Sequence, residues 1–281
     1  MKKFWETSRR TTSLEKTLVM AILNVTPDSF SDGGKFFSLD AALKQAEKLA
    51  AEGADILDIG GESTRPASEK ISADEETNRV VPVVEAIAKR FEIPVSIDTS
   101  KARVAAKAVE AGAEIINDIS GLRFDENVAK VAAKYKTGLV LMHLRGAFET
   151  MHEQKPVADI LSETASGFRL SLEKAENCGV RREQIALDVG VGFSKTFEQN
   201  LELLAKLAKL VEEFPDYPFL VGTSRKSFIG KILGDAAAKR LQGSLTSAAI
   251  AVWNGAKIVR VHDVRETVEA LKIVEAIKNK L

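Results

Sequence analysis

The chain has 281 residues, 45% of them hydrophobic and 28% charged, enough to bury one large core. Lys+Arg and Asp+Glu each total 40, so a formal net charge of zero offers nucleic acid or an anionic membrane no bulk attraction. No run approaches the roughly 20 apolar residues of a membrane-spanning helix, and one cysteine, Cys178, excludes an internal disulfide and a thiolate zinc cluster. Cys178 closes a helical stretch, a packing position, and a reducing, cytoplasmic compartment is expected.

Residues 1–16 are polar and without a period, so they are expected as an N-terminal extension, either an extended segment or a cap on the lower face of the fold. Lys2, Lys3, Arg9, Arg10 and Lys16 make it basic, with no apolar segment of signal-peptide length behind them. From Thr17 a cycle begins. Short apolar runs at 18–24, 55–60, 94–98, 114–119, 138–143, 185–189, 218–223 and 257–262 read as strands. Helical patterns lie between and after them, near 39–52, 73–91, 101–111, 125–135, 156–178, 197–212, 237–254 and 264–279. Three junctions look alike, EGADILDIG at 52–60, AGAEIINDI at 111–119 and NGAKIVRVH at 254–262, each with a glycine where a helix must stop. That recurrence marks an internal βα repeat. The fold class expected is α/β, a single (β/α)8 TIM barrel over residues 1–281. An open doubly wound sheet is the alternative, but no glycine-rich phosphate turn comes after the first strand. Ser100 and Asp235 stand where helix caps belong.

The polar residues fall at the strand ends: Asn24, Asp58, Asp98, Asn117 with Asp118, His143, Asp188, Ser224 to Lys226, and Arg260 with His262. In a barrel those ends converge on one rim. Any one of them could be a helix or turn cap. Together they exceed what capping needs, and burying so many polar groups is costly unless a ligand or water satisfies them. The first strand opens into a long loop, NVTPDSFSDGG at 24–34, and the second into GESTRP at 61–66. Arg65 there is either a solvated charge or an anion contact, and Ser224–Lys226 is either a helix-start basic patch or part of a site. Arg260 and His262, two apart on one strand, share a face. His143 is expected to order the fifth loop, and His152 receives no role.

These segments, with SIDT at 96–99 and SRKS at 224–227, resemble the dihydropteroate synthases in consistent order from about residue 18 to 263. Three positions depart from the family's pattern. Val189 replaces a usual proline, Phe148 a common proline, and Ala67 a frequent glycine, which touches loop geometry rather than the reaction.

The resemblance implies a transferase joining a dihydropterin pyrophosphate to p-aminobenzoate and releasing pyrophosphate, with sulfonamides as competitors. It implies a pterin held by Asp98, Asn117, Asp188 and Lys226, walled by Met142 and Phe193, with Arg260 able to stack on its ring. Asp98, Lys226 and Arg260 would be the catalytic residues, Asp98 stabilising a cationic methylene. Asn24, Arg65, Arg260 and His262 would take the pyrophosphate, with Mg²⁺ on Asn24 and Asp28 or Asp32 open as further ligands. Phe30, Thr64, Pro66 and Ser227 would line the p-aminobenzoate pocket. A homodimer through the last two helices is also implied. Two rivals stand beside this reading: a pterin barrel that moves a methyl group from a folate to a corrinoid, and a pterin-binding protein without catalysis. Pyrophosphate release separates the three.

Overall fold

The computed structural model describes residues 3–26, 39–64, 68–151, 153–234 and 240–280. A hairpin comes first, β1 (Phe4–Glu6) against β2 (Thr11–Ser13), and after it β3 (Leu18–Asn24) and α1 (Leu39–Ala51). Then strand and helix alternate: β4 (Ile56–Gly60), α2 (Ala73–Arg90), β5 (Val95–Asp98), α3 (Ala102–Glu110), β6 (Ile115–Asp118), α4 (Asn127–Tyr135), β7 (Gly138–Met142) and α5 (Ile160–Asn177). The chain closes with β8 (Ile185–Asp188), α6 (Phe197–Ala205), α7 (Leu207–Glu213), β9 (Phe219–Val221), α8 (Ser227–Leu233), α9 (Leu241–Trp253), β10 (Ile258–Val261) and α10 (Val264–Lys278). Strands β3 to β10 pair in parallel and in order, and β10 returns to β3 to close the barrel. This is a (β/α)8 barrel, and closure removes the open-sheet alternative. Its strands differ from the expected spans by at most two residues at an end.

Alternation along each strand sorts the core into two parts. Outward residues such as Val19, Ala21, Leu57, Ile97, Leu139, Leu187 and Val259 pack under the helices. Inward residues Leu18, Met20, Ile56, Ile115, Val140, Ala186, Leu220 and Ile258 fill the lower barrel, together with Trp5 and Leu14. Residues 1–16, patternless by period, thus include a hairpin of two three-residue strands, too short to show a repeat. Trp5 is fully buried against the strand starts and donates its indole N–H to the Gln184 carbonyl at 2.8 Å. Arg10 forks onto Glu114 at 2.9 and 2.7 Å and ties the hairpin to the barrel wall.

Other departures are local. Ser100 does not cap α3: the boundary residue is Lys101, without a side-chain cap, and the Ala102 N–H is taken by the Asp125 carboxylate at 2.9 Å. Helix α5 starts four residues later than expected, where the Asp159 carboxylate accepts from the Leu161 and Ser162 N–H groups. The helix expected over 197–212 breaks at Lys206 into α6 and α7, and α8 has no counterpart among the expected helices. Asp235 lies outside the described residues. Among those described, no helix is long and apolar enough to cross a membrane.

Candidate active site

Parity decides which strand-end residues enter the barrel mouth. On each strand the residues two or four beyond the lower core point inward too, which brings Asn24, Asp58, Gly60, Asp98, Asn117, Met142, Asp188, Arg260 and His262 to one place. Asn24 is paired in register with Gly60, Gly60 with Asp98, and Asp98 with Asn117, so the four form one continuous row around the rim. Gly60 leaves the gap in that row. A Cβ there would come within 3.3 Å of Asn24 Oδ1 and 3.6 Å of Asp98 Oδ2, so its absence opens a passage between the two.

A buried ion-pair network spans the floor. Arg260 reaches across from β10, donating from Nε to Asp58 at 2.6 Å and from an Nη to Asp98, also at 2.6 Å. Asp58, with no exposure, accepts from the Asn117 amide as well, at 3.0 Å, and its other oxygen has no partner among the described residues. One N–H of the Asn117 amide is thereby used, which leaves its second N–H and its oxygen for a ligand. One guanidinium serves two carboxylates. Burial, with Asp58 and Glu76 adding, therefore pushes Asp98 up to about 7 against the pull of Arg260 and Lys226. Sequence reading marks Asp58 as a strand end and gives it no role in the site. Its inward parity, shared with Ile56 and Gly60, is the signal that could have placed it here.

The opposite wall is Asp188, Met142, Phe193 and Lys226. Asp188 is buried, which raises its pKa, while the Gly190 N–H donates to it at 2.8 Å and stabilises the carboxylate. Lys226 sets its ammonium over the Phe193 ring, 4.1 Å from the centroid, and is held down to about 8 by burial and the charge of Arg260. Met142 and Phe193 belong to one buried apolar cluster with Ile119, Leu144, Phe148 and Met151. Phe148, one of the three departures, packs there edge-on to Phe124 at 6.3 Å. Val189, another, is fully buried.

At the β10 end, the Ser224 hydroxyl lies 3.0 Å from His262 Nδ1 and accepts from the His262 N–H at 3.2 Å. Burial and the nearby Arg225 and Arg260 push His262 down to about 3, so it is neutral. Two strand-end residues turn out to brace the scaffold. Asp118 points out of the barrel and accepts from Ser120 N, Ser120 Oγ and Leu122 N, at 2.7 to 2.8 Å. His143 is buried beside Thr164 Oγ1 at 3.4 Å and edge-on to Phe168. Thr64 is half-buried beyond β4, and Ser227 is exposed at the start of α8. Phe30, Asp28, Asp32, Arg65, Pro66, Ala67 and His152 lie outside the described residues.

A parallel barrel with a buried pair of acids, an amide and two cations converging on its mouth is the frame of a barrel enzyme acting on a small polar heterocycle. Residues 20–262 match the family described as pterin binding enzyme, and the chain belongs to it. Within it, the dihydropteroate synthase of Escherichia coli is 48% identical over 260 residues, covering 92% of this chain and 90% of its own. The Yersinia pestis dihydropteroate synthase, solved with a sulfonamide drug complex, superposes at a TM-score of 0.91 with 43% identity over 99% of this chain and all of its own. The Xanthomonas albilineans enzyme, solved with 4-aminobenzoic acid, does so at 0.91 with 38% identity over 99% of each chain. The family is the dihydropteroate synthases.

Proposed function

We propose that this chain condenses a 6-hydroxymethyl-7,8-dihydropterin pyrophosphate with p-aminobenzoate, giving 7,8-dihydropteroate and pyrophosphate. The observation that carries this is the row of Asp98 and Asn117 beside Asp188 and Lys226, walled by Met142 and Phe193. Carboxylates accept from the amino and ring N–H groups of a pterin, while the Asn117 oxygen and the Lys226 ammonium add an acceptor and a donor. Asp98, ionised, faces the exocyclic carbon as its bond to pyrophosphate breaks and positive charge develops. In this structure Arg260 is engaged by Asp58 and Asp98 rather than lying free to stack. With Arg65 and His262 it would hold the leaving pyrophosphate, Nε2–H of the neutral His262 donating if the Ser224 hydroxyl donates to Nδ1. Phe30, Thr64, Pro66 and Ser227 would line the p-aminobenzoate pocket, where sulfonamides would compete.

The donor set fits Mg²⁺. The Asn24 amide oxygen is a hard ligand beside the carboxylate Asp98, and Mg²⁺ needs only one or two protein oxygens when phosphates complete its shell. Among the described residues no group of three His, Cys, Asp or Glu could hold a metal by itself. When bound, the ion would neutralise charge on the departing pyrophosphate. Use of a single cysteine supports a reducing, cytoplasmic setting. The reading is tested by pyrophosphate release. It is expected only with both the dihydropterin pyrophosphate and p-aminobenzoate present. Binding of the pterin without release would overturn this reading and leave the two rivals, a methyl-transferring barrel and a non-catalytic pterin binder.

A homodimer is proposed on a separate observation. Ile250 and Trp253 on α9, and Ile273 and Ile277 on α10, are 45% to 63% exposed and lie three or four residues apart, so each pair shares a helix face. Sedimentation is expected to give twice the 30.5 kDa chain mass, and Ile273→Asp a monomer. A monomeric wild-type chain would remove the proposal.

A further inference from the structure

The loop after β8 carries a further, partly buried cation, Lys195, to which the reading above gives no role. Lys195 turns its ammonium back into the loop and donates to three carbonyls: His143 at 3.2 Å, Gly190 at 3.0 Å and Phe193 at 3.0 Å. None of these is charged. Each nevertheless belongs to a segment that builds the pterin wall. Gly190 gives its N–H to Asp188, Phe193 lies under the Lys226 ammonium, and His143 adjoins Met142 at the end of β7. The backbone is shaped around this lysine. Gly190 has φ +67°, and a Cβ there would stand 2.2 Å from the His143 carbonyl and 3.1 Å from Lys195 Nζ, so no other residue fits without moving the backbone that Lys195 bonds.

We propose that Lys195 is a positioning residue for the pterin half of the site, acting through the backbone of residues 189–194. The proposal rests on the reaction assigned above. Arg145 clasps the same loop at Ser194, while Lys195 ties the Gly190 and Phe193 carbonyls to the end of β7. Val189, in place of the family's usual proline, leaves the turn's φ unconstrained. Three carbonyls converging on one ammonium therefore fix where Asp188 and Phe193 stand. Burial, together with Arg145 and Lys226, pushes Lys195 down to about 7 against the pull of Asp188, so the charge is held there at a cost. A methionine of similar length would fill the space without that cost. What the lysine adds is its donors.

The consequence is asymmetric. The carbonyls that Lys195 holds lie behind the pterin wall, whereas the p-aminobenzoate residues Phe30, Thr64, Pro66 and Ser227 come from other parts of the chain. Lys195→Met should raise KM for the dihydropterin pyrophosphate by about 10-fold or more, as the His143 carbonyl loses its donor and the Gly190 and Phe193 carbonyls keep only the Phe193 N–H and the Ser194 hydroxyl, which lets the wall shift, and leave KM for p-aminobenzoate within about twofold. Lys195→Gln, which keeps one neutral donor, should fall between it and wild type, and it carries the same test if the methionine variant does not fold. Equal changes in both KM values, or no change in either, would overturn the proposal. Wild-type pyrophosphate release, run alongside, separates that outcome from a failure of the assigned reaction.

Discussion

Replacing Asp98 by asparagine is expected to leave the barrel folded and to lower turnover by about 10²-fold or more, the usual loss on removing one aimed electrostatic stabiliser. Asparagine matches the carboxylate in shape and can still bond Arg260, so geometry survives while the negative charge is lost. The pH dependence makes the test specific. Asp98 is pushed up to about 7, above its ordinary 3.8, because burial outweighs Arg260 and Lys226. In the proposed mechanism the active form is the carboxylate, so wild-type turnover should rise with pH through a midpoint near 7, and the Asn variant should lack that limb. Stability runs the other way. A pKa raised by folding means the fold binds the proton more tightly; this stabilisation is complete below about 4 and is lost as pH rises through about 7. The Asn variant should therefore gain stability relative to wild type across that window. Near-normal turnover in a folded Asp98→Asn protein would end the electrostatic role.

Arg260→Met should cost the most stability of any single change in the site. Its guanidinium is 2.6 Å from both Asp58 and Asp98, and Asp58 has no exposure at all. Removing the cation leaves two acids close together without their counter-charge, Asp58 keeping only the Asn117 amide, a loss of about 3–5 kcal/mol, or a melting temperature lower by on the order of 10 °C. Protonation relieves part of it. The deficit should thus be greatest at alkaline pH and shrink toward pH 5, where the raised Asp98 carries its proton. A melting temperature unchanged at pH 8, or a deficit independent of pH, would show that the network does not bear on stability.

The amino-acid sequence by itself determined the order of eight βα units and the convergence of their polar ends. Asp98, Asn117 and Asp188 each close an apolar run with the same two-residue alternation, and that period is set by the local backbone, so no tertiary information is needed to read it. The motifs around Asn24, Thr64 and Ser224 pointed to the family for the same reason: each is contiguous in the chain. Only the tertiary structure decided what those groups do to one another. Arg260 and Asp58 are 202 residues apart, and nothing near either one encodes the pairing. The hairpin around Trp5 has strands of three residues, below the length at which a period can show, and takes its conformation from the lower end of the barrel, opposite the mouth. Lys195 reads in the chain as one more loop lysine, because three carbonyls offer no sequence signal: every residue has one, and only the fold brings those of His143, Gly190 and Phe193 to a single ammonium.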